Sequence, residues 1–249
     1  MDDSPLRHRI ALPEPSRRYD QDAEWFVLHT DDGWREIRFH DYARIFSGSG
    51  LYEQLFHDVL ECDSPRFMSN FLRTELARAD VEPAELRVLD LGAGNGIMGE
   101  ELTKLGVTLV VGADILPEAA RATARDRPGI YRDYYVVDLT ALSPARRDDL
   151  AGHEFNALSC IAALGFGDIP TECFRNAVRL IEDGGWIVLT IKRHFLDDAD
   201  TSGFAALLRS AFREGSLELV ASTDYRHRLD TSREPLHYTG LVARKQADL

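Results

Sequence analysis

The chain has 249 residues, 44% hydrophobic and 29% charged, enough for one large α/β domain with an appendage and ordinary for a soluble globular protein. Its formal net charge of −13 argues against a nucleic-acid partner, because phosphate binding is built from Lys and Arg. Cys62, Cys160 and Cys173 are too scattered for a disulfide framework or a metal knuckle, and the expectation is a cytoplasmic protein with no membrane span.

Residues 1 to about 23 carry Pro5, Pro13 and Pro15 among charges and read as a meandering lead-in. Two aromatic and branched runs between Trp25 and Phe39 flank Asp32-Gly33, which predicts a β-hairpin. From Asp41 the apolar spacing is helical through Tyr42, Ile45 and Phe46. Ser47-Gly48-Ser49-Gly50 interrupts it, and Leu51, Leu55, Phe56 and Val59 resume it. Ser64-Pro65 predicts a new helix with Ser64 as its N-cap, closed by Glu82-Pro83. The chain therefore divides into an N-terminal lid, residues 1–84, and a main domain, residues 85–249.

The main domain opens on the apolar strand Arg87 to Leu91, which runs into Gly92-Ala93-Gly94-Asn95-Gly96 and then a helix from Ile97 to Leu105. Strands follow over Val107–Ala113, Tyr131–Val137, Phe155–Ala162 and Trp186–Lys192, with helices between them. Two final strands, about Leu217–Arg226 and Leu236–Arg244, close the chain. Alternation of strand and helix demands a parallel sheet covered on both faces, and a last pair without a helix between its strands requires one antiparallel member. The predicted fold is a doubly wound, Rossmann-like α/β domain with a mostly parallel seven-stranded sheet. It carries an N-terminal helical lid preceded by a β-hairpin.

Glycines at every second position after a strand allow a sharp turn and close approach to a ligand at the next helix's N-terminus. Gly94, Gly96 and Gly99 satisfy the G-x-G-x-x-G dinucleotide spacing, but the first glycine should follow the strand directly, and here Leu91-Gly92-Ala93 intervene. Asp90, an acid at the strand end, also suits a pyrophosphate poorly. Four arginines, Arg121, Arg125, Arg127 and Arg132, read as a solvated face.

Val88-Leu89-Asp90-Leu91-Gly92-Ala93-Gly94-Asn95-Gly96 resembles the first motif of class I S-adenosylmethionine-dependent methyltransferases. The likeness runs over roughly residues 85 to 245, through Asp114, Asp138, Asp183-Gly184-Gly185 and the closing β-pair. It implies S-adenosyl-L-methionine as cofactor and S-adenosyl-L-homocysteine as product. By the same resemblance Asp90, Gly92, Ala93, Gly94, Asn95 and Gly96 take the methionine part, Asp90 orienting the loop and reaching the amino group directly or through water. Asp114 with Ile115 takes the ribose, Asp138 with Leu139 the adenine, and Ala162 with Ala163 the sulfonium end. Tyr52 and Tyr42 of the lid are expected over the methionine or the substrate.

The Asn/Asp-Pro-Pro-Tyr/Phe signature of nucleic-acid amino-methylation is absent after the fourth strand, and the resemblance implies a small-molecule acceptor. Methyl transfer needs alignment above all, and a general base only if the acceptor arrives protonated. Asp168, His194 and His237 are the candidates for that base. Asp197, Asp198 and Asp200 beside Thr201 and Ser202 read as capping, and no metal is expected. A protein or peptide substrate, an NAD(P)-dependent oxidoreductase and a non-catalytic cofactor-binding protein are the alternatives. Nothing in the sequence decides between monomer and homodimer.

Overall fold

The computed structural model describes residues 7–16, 19–164, 168–193 and 202–249. Near the N-terminus, β1 (Ile10–Ala11), β2 (Trp25–Thr30) and β3 (Gly33–Arg38) form a three-stranded antiparallel sheet. The predicted hairpin forms, turning at Asp31-Asp32, and Gly33 of the Asp-Gly signal opens β3 opposite Thr30 at φ +101°. The lead-in departs from expectation, since Ile10 and Ala11 pair with Leu28 and Val27. Two residues are too short to leave a periodic signal, and only the neighbouring strand makes them extended.

Next come α1 (Tyr42–Ser47), a π-helical stretch Glu53–Val59 and α2 (Ser64–Arg78). Ser64 is not the N-cap. Asp63 holds that position, and the fully buried Ser64 Oγ lies 2.7 Å from both Tyr225 Oη and His227 Nδ1. A serine before proline does suit a helix start, but distant partners on the closing strands claim this hydroxyl.

The main domain runs β4 (Arg87–Leu91), α3 (Ile97–Leu105), β5 (Leu109–Asp114), α4 (Pro117–Asp126), β6 (Asp133–Val136), α5 (Pro144–Ala151), β7 (Ala157–Cys160), α6 (Thr171–Arg179), β8 (Trp186–Lys192), α7 (Phe204–Glu214), β9 (Leu217–Leu229) and β10 (Pro235–Lys245). Its seven-stranded sheet has the order β6-β5-β4-β7-β8-β10-β9, with β10 antiparallel to both neighbours and the other pairings parallel. Strand β5 begins two residues later than predicted because the Val107 amide still closes α3 by donating to the Leu102 carbonyl.

Successive side chains of a strand point to opposite faces, and the core divides accordingly. Leu89, Val111, Leu158 and Ile187 pack under α6 and α7. Their neighbours Val88, Val110, Ala157 and Trp186 pack under α2 and α3, through Met68, Leu72, Leu76 and Leu102. Burial on both sides explains why the central strands read as unbroken apolar runs. A third core, with Phe26, Phe39, Ile45, Leu55 and Phe56, belongs to the small sheet and the short helices after it. Among the described residues no helix is long and apolar enough to cross a membrane.

Candidate functional site

In an open parallel sheet the crevice lies at the carboxyl ends of the strands, where the chain order reverses. Strand β4 is that switch point, with β5 on one side and β7 on the other. The loop after it carries Gly92 at φ +70° and Gly94 at φ +53°, in the left-handed region that favours glycine. A Cβ on Gly92 would sit 2.8 Å from Ala163 Cβ, and one on Gly94 3.2 Å from the Phe46 ring. Backbone here closes to within contact of its neighbours, and any side chain would intrude on the space beyond.

Two acids stand at this loop, one bonded to it and one tied to the strands behind it. Asp114 accepts from the Gly94 amide through Oδ2 and from the Leu116 amide through Oδ1, both at 2.9 Å. Burial pushes its pKa up, opposed by those amide hydrogen bonds. Asp90 is 1% exposed and accepts from Tyr131 Oη at 2.6 Å and from Ser159 Oγ at 2.5 Å. Burial raises its pKa to about 6, against the lowering effect of Ser159 and Tyr131. Both oxygens of Asp90 are thus engaged behind the loop, by Tyr131 and Ser159.

In front of the loop lies a cavity of ≈ 290 Å³. Gly92, Ala93, Gly94, Asn95, Asp114, Ile115, Asp138, Leu139 and Ala162 all line it, whereas Asp90 and Gly96 lie behind its wall. The structure therefore brings nine of the eleven sheet-side cofactor candidates to one surface. Asp138 Oδ1 accepts from the Thr140 amide (2.8 Å) and Oγ1 (2.7 Å), which hold its pKa below the usual value. Ala162 has φ +57°, a strained conformation for alanine, and its amide donates to Thr190 Oγ1 at 2.7 Å.

The opposite wall comes from the N-terminal segment. Phe46 stacks between Tyr42 and Tyr52, with ring centroids 5.9 and 5.3 Å away, and Tyr52 packs on Phe56 at 4.7 Å. Tyr42, Phe46 and Tyr52 all line the cavity. Burial drives both tyrosine pKa values upward, so these hydroxyls stay neutral. Two arginines expected on a solvated face hold this wall in place. Both Arg125 terminal nitrogens donate to the Phe46 carbonyl at 3.2 Å, and Arg127 pairs with Glu53 at 2.8 Å. Glu53 in turn accepts from Asn95 Nδ2 of the glycine loop.

Of the base candidates, Asp168 lines the cavity and meets His40 Nδ1 at 2.8 Å. His40 also lines the cavity, and sequence reasoning missed it. It sits in the turn after β3, 128 positions from its partner, and carries no local motif. His57, another cavity residue missed in the sequence, has its pKa lowered by burial. His237 is exposed on β10 opposite Arg226, away from the cavity. Strand alternation turns its neighbour Tyr238 inward and His237 outward, which removes it as a candidate. His194, Asp197, Asp198 and Asp200 lie outside the described residues. Among the described residues no group of three or more His, Cys, Asp or Glu is arranged to hold a metal ion.

A family model described as a methyltransferase domain matches residues 64–231. The chain belongs to this methyltransferase-domain family. The match takes in α2, the glycine loop and the strand-end acids of the sheet. The ubiquinone biosynthesis O-methyltransferase of Xanthomonas axonopodis pv. citri (strain 306) is 30% identical over 131 residues, 51% of this methyltransferase-domain chain and 51% of that relative. Its counterpart in Thiobacillus denitrificans is 31% identical over 103 residues, 41% of this chain and 42% of the relative. The chain thus spans about half the length of the curated relatives it matches. Among solved structures, the N-methyltransferase NodS from Bradyrhizobium japonicum WM9, in complex with S-adenosyl-L-homocysteine, superposes with a TM-score of 0.55 at 15% identity, covering 83% of this chain and 97% of that one. The [4+2]-cyclase SpnF superposes with a TM-score of 0.51 at 18% identity, covering 72% and 82%. A cyclase and an N-methyltransferase share this architecture, so the fold leaves the reaction to be argued from the site.

Proposed function

We propose that the chain is an enzyme that moves a methyl group from S-adenosyl-L-methionine to a small-molecule acceptor, leaving S-adenosyl-L-homocysteine. One observation carries this reading: the glycine loop, Asp114 and Asp138 converge on a single cavity that the N-terminal segment covers with Tyr42, Phe46 and Tyr52. A volume of ≈ 290 Å³ suits a small ligand, and a covered cavity favours a small acceptor over a folded protein. The curated relatives, O-methyltransferases by name, support the same class of chemistry.

The residues present fit the cofactor. Gly92 and Gly94 keep clear the space that a Cβ would fill, beside the N-terminus of α3. Asp114 keeps lone pairs for a vicinal diol beyond its two amide bonds, and Asp138, whose bonds from Thr140 both go to Oδ1, would offer Oδ2 to an amine. Ile115, 60% exposed at the cavity wall, and Leu139 offer apolar surface to an aromatic base. When bound, the cofactor supplies a methyl group on a positively charged sulfur, whose leaving group is a neutral thioether.

The remaining work belongs to the chain. The aromatic wall excludes water and holds the acceptor against Ala162 and Ala163. Asp168 holds the His40 ring at the cavity wall through Nδ1, which places an imidazole and a carboxylate where an acceptor that arrives protonated would need a base. The lid proper ends before α2, which packs on the main sheet through Met68, Leu72 and Leu76 and so belongs with the part that carries the cofactor.

Calorimetric titration of the full chain with S-adenosylmethionine, S-adenosylhomocysteine and NAD⁺ tests the reading. Both sulfur ligands are expected to bind, and Asp114→Ala to weaken them by about tenfold to a hundredfold, since it orphans two amides as well as removing the ribose acceptor. Binding of NAD⁺ without the sulfur ligands would replace this reading with the oxidoreductase one.

A further inference from the structure

A second cavity of ≈ 30 Å³ adjoins the first and shares His40, Tyr42, Tyr52, Ala162 and Asp168 with it. Its far walls come from Gln21, Phe39, Phe56, His227, Arg228 and Tyr238. That volume is about the share of one water molecule in the liquid, so the chamber takes the end of a ligand and not its body.

Gln21 marks what that end must be. Its side chain is 93% buried, and Nε2 donates to Tyr238 Oη at 2.7 Å. Its carbonyl Oε1 is buried without a hydrogen-bond partner among the described residues. Leaving a buried acceptor unpaired is costly, so a donor from outside the chain is favoured at this point. A water can serve while the site is empty, and a ligand hydroxyl or N–H can displace it at little cost.

The charges around the chamber are already balanced. Arg228 forms an ion pair with the fully buried Glu24, whose other oxygen accepts from the Thr231 amide at 2.8 Å. The Arg228 guanidinium also lies 5.3 Å over the Phe39 ring. Asp168 is paired with His40. His227, stacked on Tyr238 at 4.1 Å, is kept neutral by burial and by the neighbouring Arg228. Among the described residues that line the chamber, Arg228 is committed to Glu24, and a cationic end group would face it.

We propose that this chamber is the specificity pocket for the acceptor, and that it selects an uncharged end group carrying a hydrogen-bond donor, a hydroxyl or an amide N–H, for Gln21 Oε1. The chamber rests on the methyl-transfer reading for the direction of its ligand, whose reacting atom then lies in the main cavity near Ala162 and His40. Gln21 and Tyr238 act as specificity residues at the end remote from the chemistry.

Simple ring probes test this, because the wall shared by the two cavities is aromatic. Ligand-observed NMR titrations of the full chain with phenol, anisole and benzoate compare one skeleton with a neutral donor, no donor and an anion. Phenol is expected to bind about tenfold tighter than anisole, with benzoate weakest, as one added hydrogen bond allows. Gln21→Leu, close in volume, should bring the phenol-to-anisole ratio within about twofold of one. Tyr238→Phe, which only releases the Gln21 amide, should lower it by about threefold. Both variants should bind S-adenosylhomocysteine as the unaltered chain does. A ratio near one in the unaltered chain, as when a permanent water satisfies Gln21, overturns the proposal. So does a ratio that Gln21→Leu leaves unchanged. Each ratio is measured with and without S-adenosylhomocysteine, so failure of that ligand to bind sinks the methyl-transfer reading while the ratio still decides the chamber.

Discussion

The two walls of the site are built from different material. The sheet wall is mainly backbone, a glycine loop and strand ends held by Asp90 and Asp114 within a seven-stranded sheet. The opposite wall is made of side chains, rings from short helices and a small sheet, tied down by separate polar links: Glu53 to Asn95, Arg125 to Phe46, His40 to Asp168, Glu24 to Arg228. Backbone geometry is shared by any sequence that keeps its glycines, which suits an invariant ligand such as a cofactor. A wall of side chains can be altered one residue at a time, which suits an acceptor that differs between enzymes.

The largest effect is expected where the second wall meets the sheet. Glu24→Gln leaves Arg228 buried without its counter-charge and should weaken attachment of the small sheet by about 3–5 kcal/mol. Hydrogen exchange should then accelerate at the amides of β2 and β3 while β4 and β5 keep their protection. Equal acceleration in both sheets would show that the walls unfold as one unit. Next comes the His40–Asp168 pair. His40→Ala should lower the rate with saturating acceptor by about 10²–10⁴-fold and leave S-adenosylhomocysteine affinity within about twofold. A loss confined to cofactor affinity would move His40 to the other wall.

The smallest of the three effects concerns the sheet wall alone. Asp90 titrates near 6 when folded against an ordinary value of 3.8. Between those values the folded chain keeps a proton that the unfolded chain has released, so stability from this group is full below about pH 4 and is lost as the pH rises through about 6. The span corresponds to roughly 3 kcal/mol at most. Asp90→Asn removes the titration, and urea unfolding should show the variant gaining on the unaltered chain as the pH rises from 4 to 7. A difference independent of pH would mean that water reaches Asp90, and that the sheet wall is less dry than its burial indicates.

The sheet wall was legible in the sequence because its parts are local. Gly92, Gly94 and Asn95 stand within one turn, and Asp114 and Asp138 each end a strand that periodicity marks out. Even there a one-dimensional pattern cannot show that Tyr131 and Ser159 occupy the oxygens of Asp90. The other wall was legible only as a cover. Tyr42 and Tyr52 were found through the family resemblance, but His40, Gln21 and Tyr238 acquire meaning only from partners far along the chain. His237 was a histidine on the right strand and the wrong face. The short pairing of Ile10 and Ala11 and the role of Ser64 were hidden for the same reason, since each depends on a contact that no local rule encodes.

That the last strand, β10, slots between β8 and β9 sets an order of assembly. Gln21 meets Tyr238 across 217 positions, and Glu24 meets Thr231 across 207. Contacts closing loops of that length form late, because their entropy must be met before they return any energy. The cofactor loop, whose supports lie within about 70 residues of one another, can take shape while the chain is still incomplete. The chamber against Gln21 waits for β10, so along the folding path a competence to hold the cofactor precedes any competence to discriminate among acceptors.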